Sequence, residues 1–537
     1  MPASLILDGH SLTPKDLLSL SHGTRRIEIS DSALKEVRKS RAVIDRIVES
    51  GEVVYGVNTG FGLFSDVTVC DLERLQSNLI RSHAAGTGGP LSKERTRMLL
   101  ALRINVLCRG HSGVSSETLL GLVEAFNRDC ISFVPEKGTV GASGDLAPLA
   151  HLVLGLMGEG LMWSVGENFL AASTVLKTQG LAPLVLSAKE GLALINGTQL
   201  ISVFLAEAVR RAEILVRTAD VACALSLECL KGTPAAFHPK IHESRGHKGQ
   251  GLVAARIRSL LSDTATNSSS LPSPTLTSAQ IGQPSQLHQS HGYRGKVQDA
   301  YSLRCAPQVH GIVNDTLEFV RSIIQTELNS STDNPMVFAS EGDLVISGGN
   351  FHGEYPAKAA DFLAIAVAEL GQISERRIER LVNPQLSGGL PAFLVQDGGL
   401  NSGFMIAHCT AASLVSENKV LVHPASVDSI STSAAKEDHV SMGGFAARKL
   451  VEITENVETV LAIELLAACQ ALEFHRPLKT TRVLEAVHEA VRRKVDKWDC
   501  DRFMAPDIQV LKDMVKEGVI WKAVEQVIGA YEGVHTG

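Results

Sequence analysis

The sequence predicts a mainly α-helical protein, with a long central multi-helix bundle and a smaller mixed N-terminal region that carries a glycine-rich turn. Three observations point there. Residues 356–382, 402–421 and 440–475 are long helical-period runs. In the last of them Leu450, Ile453, Val457, Leu461, Leu465, Ala468 and Leu472 form a wide apolar stripe of the kind that packs in a bundle. The composition is aliphatic, 44% hydrophobic with only 4% aromatic residues. The first 200 residues, by contrast, break helical periodicity with short alternating stretches and glycine turns. With 537 residues the chain is too long for one simple core. The division expected is 1–200 as the N-terminal region, 201–475 as the long-helix bundle and 476–537 as a C-terminal helical region.

Taken in order, Ser4 to Asp8 alternates weakly as a short strand would. Ser30 to Ser50 places Leu34, Val37, Ile44, Ile47 and Val48 at helical spacing behind Ser30 and Asp31 as caps. Residues 53–62 hold three glycines around Tyr55 and read as a loop, without the GxGxxG or Lys-Ser/Thr signature of a phosphate cradle. Helices are expected at 69–83, 93–108 and 116–129. The turn at 138–145 follows, and the apolar window 146–163 reads as buried core helix, with Asp145 ahead of it and Pro148 early in it. A second turn, Asn196-Gly-Thr-Gln199, precedes the aliphatic run 200–231. Residues 263–290 are rich in Ser, Thr, Pro and Gln with almost no periodicity, the pattern of an exposed, mobile excursion. Thr332-Asp-Asn-Pro335 and Ser347 to His352 are turns flanking a short strand, and Ser429 to His439 is a polar turn between two apolar helices. No short-period repeat is present.

Bulk charge narrows the function. A net charge of −7 and an isoelectric point near 6.2 supply no basic field for nucleic acid. Met1 to His10 lacks the basic and long apolar regions of a secretory signal, and the apolar windows are too interrupted to span a bilayer. Nine cysteines scattered singly, without a CxxC pair, fit reduced thiols in a cytoplasmic setting. His238, His242 and His247 lack metal-ligand spacing and read as surface histidines, so no metal is expected.

The chemically unusual stretch is Gly138-Thr-Val-Gly-Ala-Ser-Gly-Asp145. Asp145 stands where a serine-hydrolase elbow needs glycine, which excludes that motif. Gly144, lacking a Cβ, can bring its nitrogen to the Ala142 carbonyl carbon. If that bond forms and Ser143 then loses water across its Cα and Cβ, Ala142-Ser143-Gly144 becomes a five-membered ring with an exocyclic methylidene, a strong electrophile needing no external cofactor. The N-terminus of the following helix would direct partial positive charge at such a ring. Further along, Gln298, Tyr301 and Arg304 are spaced to share one face of a helical turn, where Arg304 could supply a bidentate fork to a carboxylate.

Together with the Tyr55 loop, Asn196-Gly-Thr, Asp333-Asn-Pro, Gly349-Asn-Phe351 and Glu437-Asp-His, these motifs resemble the aromatic amino acid ammonia-lyases, in order over nearly the whole chain. The resemblance implies a helical homotetramer with active sites shared between three chains. It also implies an autocatalytic 4-methylidene-imidazol-5-one built from Ala142, Ser143 and Gly144. Ser82-His83 and Glu437 look like the members acting on L-histidine, which yield trans-urocanate and ammonia. A phenylalanine or tyrosine lyase or aminomutase of the family is the alternative. By resemblance Tyr55 is the base for the β-proton, and its pKa would have to fall from about 10. Arg304, assisted by Tyr301, would bind the carboxylate, and Asn196 and Gln298 would bond the carboxylate or the ring. Phe351 would pack beside the ring, Met405 would line the substrate site, and His83 and Glu437 would hold the imidazole. Whether the substrate's amine or its imidazole meets the methylidene stays open.

Overall fold

A computed structural model of the chain describes residues 4–164, 168–263, 285–291 and 297–529. The chain forms two compact units, each assembled from separated segments: Met1–Arg210, Val320–Asp361 and Pro424–Val451 in the first, Arg211–Phe319, Phe362–His423 and Glu452–Gly537 in the second. The unit boundaries fall inside or at the edges of long helices, including Gln199–Cys229, Ala306–Glu327, Glu354–Val382 and Gly443–Glu473. The mainly α class expected from sequence is what the structure has, and its strands are three or four residues long.

In the first unit local chemistry sets the helix starts. Ser30, Asp71, Ser92 and Ser115 each accept a hydrogen bond from a backbone N–H in the first turn of Asp31–Ser50, Leu72–His83, Lys93–Leu107 and Ser116–Asn127. Ser4–Leu7 pairs in parallel with Arg26–Ile29, Ser4 opposite Arg26 and Leu7 opposite Ile29. Two expectations are corrected here. The window 146–163 is not one helix: Leu146–Leu156 ends there, the chain turns through Gly158 and Gly160, and Leu161–Trp163 pairs antiparallel with Phe169–Ala171. Apolar content alone cannot separate buried helix from buried strand. Between the turns near 335 and 347 lie two antiparallel strands rather than one, Met336–Phe338 and Leu344–Ile346.

The second unit is helical, and its core includes a buried polar staple. The Glu464 carboxylate, fully buried in Gly443–Glu473, accepts from Ser226 Oγ (2.7 Å), Ser374 Oγ (2.6 Å) and Arg377 Nε and Nη2 (2.5 and 2.8 Å), tying three helices together. The stripe of Gly443–Glu473 is wider than its sequence periodicity implied. Val460, Ile463, Leu466 and Ala467 are buried along with the stripe residues, so this helix is buried nearly all round. Of the expected 263–290 excursion, residues 264–284 lie outside the described residues, while Gln286–His291 is helical. His242 is not at the surface: it is 4% exposed, with Nε2 3.1 Å from Ala236 O and Nδ1 accepting from Gln250 Nε2 at 3.0 Å. Among the described residues no group of three or more His, Cys, Asp or Glu could hold a metal ion, and no helix is long and apolar enough to cross a membrane.

Candidate active site

The Ala142-Ser143-Gly144 turn is held in the first unit by contacts on every side. Gly144 has φ +71°, and a Cβ there would sit 2.1 Å from Gly197 O, so only glycine fits. The two glycines are bridge partners, and the Asp145 N–H donates to Gly197 O at 2.7 Å. Thr139 Oγ1 donates to Gly144 O (3.2 Å) and Asp145 Oδ1 (3.1 Å). On the other flank Gly141 O accepts from Ser441 Oγ at 3.1 Å and from the Gly353 N–H at 3.2 Å.

Asp145 does not cap its helix. It is wholly buried, its Oδ2 accepts from the Ile201 N–H at 3.0 Å, and burial pushes its carboxyl up to about 7. Asn196, at the end of Glu190–Ile195, donates from Nδ2 to Ser143 O at 3.3 Å. Its Oδ1 is buried without a hydrogen-bond partner, a costly state for an amide. Behind it Arg103, also wholly buried, donates from Nη1 to Asn196 O (2.8 Å) and Gln199 Oε1 (2.7 Å) and from Nη2 to Ala193 O. Arg103 sits inside an apolar helix run and carries no motif, which is why sequence reasoning missed it.

Ser143 Oγ donates to Glu437 Oε1 at 2.7 Å, and Thr432 Oγ1 donates to Glu437 Oε2 at 2.7 Å. Burial raises the Glu437 carboxyl, but hydrogen bonds from Thr432, Ser143 and Ser433 and the nearby His83 outweigh it and hold the group below the usual range. His83 closes Leu72–His83, with Nδ1 2.9 Å from Leu79 O. A carbonyl can only accept, so Nδ1 carries the hydrogen and Nε2 is left as an acceptor. Burial lowers the His83 pKa, against the pull of the Leu79 carbonyl and the Glu437 charge.

Tyr55 is half-buried in its loop, and burial together with the Glu437 charge raises its phenol above 10 although a hydrogen bond with the Gly62 backbone opposes this. The shift therefore runs opposite to the lowering that sequence reasoning required of a base. Phe351 is half-buried one residue before His352, whose Nε2 lies 3.1 Å from His439 O. The first unit thus brings His83, Asn196, Glu437 and Tyr55 into interaction with or around the Ala142-Ser143-Gly144 turn, and Phe351 belongs to the same unit.

Gln298, Tyr301, Arg304 and Met405 belong to the second unit. Only Tyr301–Arg304 is helical and Gln298 precedes it in a bend, so the three do not share a helical face as the spacing predicted. They nonetheless line one polar cleft. Arg304 Nε donates to Asp299 O at 2.9 Å, and its guanidinium stands 4.6 Å from the centre of the Tyr301 ring. Met405 opens the helix Met405–Leu421 and is 37% exposed.

Residues 12–493 match the family model of the aromatic amino acid lyases. The chain is 59% identical over 533 residues to histidine ammonia-lyase of Bos taurus, covering 99% of this chain and 78% of the relative, and 46% identical to that of Alkaliphilus oremlandii, covering 98% and 99%. Among solved structures it is similar to histidine ammonia-lyase from Trypanosoma cruzi, with a TM-score of 0.87, 52% identity and coverage of 98% and 96%. Tyrosine aminomutase from Streptomyces globisporus superposes with the same TM-score at 36% identity, covering 98% and 99%. On sequence and on fold alike, this chain belongs to the aromatic amino acid lyase family.

Proposed function

We propose that the protein eliminates ammonia from L-histidine without oxidation, releasing trans-urocanate, with Ala142-Ser143-Gly144 matured to a 4-methylidene-imidazol-5-one. The observation that carries this reading is the placing of Glu437 against Ser143 with the His83 ring nearby, which puts two nitrogen-seeking acceptors beside the turn. Relatives bearing the name histidine ammonia-lyase at 46% to 59% identity support it.

The residues fit the prosthetic ring. Gly144 leaves no room for a side chain on the atom next to the new bond, and the unpartnered Asn196 Oδ1 lies beside the turn with nothing yet to bond. Once formed, the group would supply an electrophile that activates the substrate for loss of its amine.

The chain's own side chains do the rest. Neutral His83 offers Nε2 as an acceptor and Glu437 offers a carboxylate, so an imidazole with N–H on either side is held between them. A protonated imidazole there would offset the Glu437 charge, removing one of the two causes that raise Tyr55 and readying its phenol to take the β-proton. Arg304, with its Nε and ring face already occupied, keeps its remaining N–H groups for the substrate carboxylate. Within the second unit Tyr301, Gln298 and Met405 are assigned to the substrate along with Arg304, and within the first unit Phe351 and Asn196 are assigned to the prosthetic ring.

The assembly proposed is a homotetramer whose sites draw on three chains. Exposure of Ile312 (60%), Phe319 (52%), Ile406 (63%) and Val420 (74%) in the second unit supports burial against further copies. Free cysteines throughout support a reducing, cytoplasmic setting. The test is to add L-histidine to the purified protein and follow the conjugated urocanate absorbance. Cinnamate, coumarate or a β-amino acid from phenylalanine or tyrosine, with no urocanate, would assign the chain to a sister activity.

A further inference from the structure

The cleft that contains Arg304 holds a second guanidinium. Its volume is about 390 Å³, and its lining includes Gln298, Asp299, Tyr301, Arg304, Arg380 and Gln385. Arg380 comes from the last turn of Glu354–Val382, in the same unit.

The two arginines differ from their neighbours in what they touch. Arg376 is bound to Glu375 at 2.5 Å and Glu379 at 3.0 Å, and Arg377 is bound to Glu464. Among the described residues neither Arg304 nor Arg380 lies within ion-pair distance of a carboxylate. Arg304 is held by a carbonyl and a ring face. Asp299, the acidic residue of the lining, turns its Oδ2 to the Thr233 N–H at 2.7 Å. Two cations lining one cleft with no carboxylate among the described residues in ion-pair distance of either repel each other, and a bound anion removes that repulsion. The planar forks suit a carboxylate better than a point cation would.

We propose that Arg380 joins Arg304 in a two-guanidinium subsite for the α-carboxylate of the amino-acid substrate. The proposal rests on the reading in which Arg304 receives that carboxylate. Arg380 also stands where a cation complements the negative end of its helix, a role that would act on stability alone. The experiment separates the two.

Arg380→Gln and Arg304→Gln are compared with the parent enzyme in steady-state kinetics on L-histidine, and in competition by imidazole-propionate, which keeps the carboxylate, and by histamine, which lacks it. Arg380→Gln should raise KM for histidine and the inhibition constant of imidazole-propionate about 2- to 5-fold, the scale of one solvent-accessible charge contact. Histamine should inhibit it as it inhibits the parent, and kcat/KM should fall less steeply with salt. Arg380→Lys, which keeps the charge and loses the fork, should fall between. A Tm shift in Arg380→Gln, with KM and both inhibition constants at parent values, overturns the proposal in favour of the helix-end role. If Arg304→Gln is equally silent, the carboxylate reading of Arg304 falls as well; if Arg304→Gln alone responds, only the Arg380 inference fails.

Discussion

The Ser143 hydroxyl donates to Glu437 Oε1 at 2.7 Å, a bond between positions 294 residues apart. It sets the one hydroxyl that must leave as water in forming the electrophile against the carboxylate proposed to receive the substrate ring. The same carboxylate is fixed from its other oxygen by Thr432. This contact makes Glu437 separable by mutation from the turn it touches.

Glu437→Gln should cut turnover of L-histidine by orders of magnitude, up to roughly 10⁴-fold, because a half-buried carboxylate acceptor for a ring N–H is replaced by an amide that offers only half of it. The amide oxygen still accepts from Ser143, so the variant should keep the mass of the cyclised chain. Near-parental turnover would remove Glu437 from the imidazole site.

Ser143→Ala should abolish the mass deficit that ring formation leaves, two waters or about 36 Da, and with it the activity. Intact-mass measurement of fresh parent enzyme supplies the reference. A parent chain at its full uncyclised mass yet active would contradict the proposed prosthetic group.

Gly144→Ala should lose both the cyclised mass and roughly 1–3 kcal/mol of stability, read from chemical unfolding, since φ +71° and a Cβ 2.1 Å from Gly197 O leave no relaxed position for a methyl group.

Tyr55→Phe should fold with parental Tm and turn over histidine about 10²- to 10⁴-fold more slowly, the range for loss of a positioned proton acceptor. Retained activity would require another base.

Glu190 sets a pH dependence. It is 1% exposed and accepts from the Ser115 N–H and Oγ and the Ser187 N–H and Oγ, all within 2.9 Å. Burial raises its carboxyl, but these bonds outweigh it and the pKa is lowered. The stabilisation is therefore fully present above the unfolded value of about 4.3 and disappears as pH falls through the lower folded value. Glu190→Gln should cost about 1–3 kcal/mol at pH 7 in urea unfolding, and the gap to the parent should narrow below about pH 4.

Much of this molecule could be read from short-range pattern. Ser30 and its helix, the ends of Glu354–Val382 and the need for a special turn at Ala142-Ser143-Gly144 all follow from neighbouring residues. What stayed hidden depends on residues distant in sequence. Arg103 reads as an odd charge in an apolar helix until Asn196 O and Gln199 are seen to receive it. Ser441 is one more serine at the start of an apolar helical run until its partner, Gly141 O, 300 residues away, comes into contact. Arg380 looks like any helix-end cation until it shares a cleft with Arg304. The rise of Tyr55 above its ordinary pKa is likewise a property of burial, which no local pattern contains.

The fourfold grip on Glu464 has a mechanical implication. Ser226, Ser374 and Arg377 come from two helices and all converge on one carboxylate of a third, so none of the three can slide by a turn without stranding a charge in the interior. A joint with a single pin either holds or lets go: the register of these helices is locked as one choice, and the cleft edges they carry inherit that rigidity.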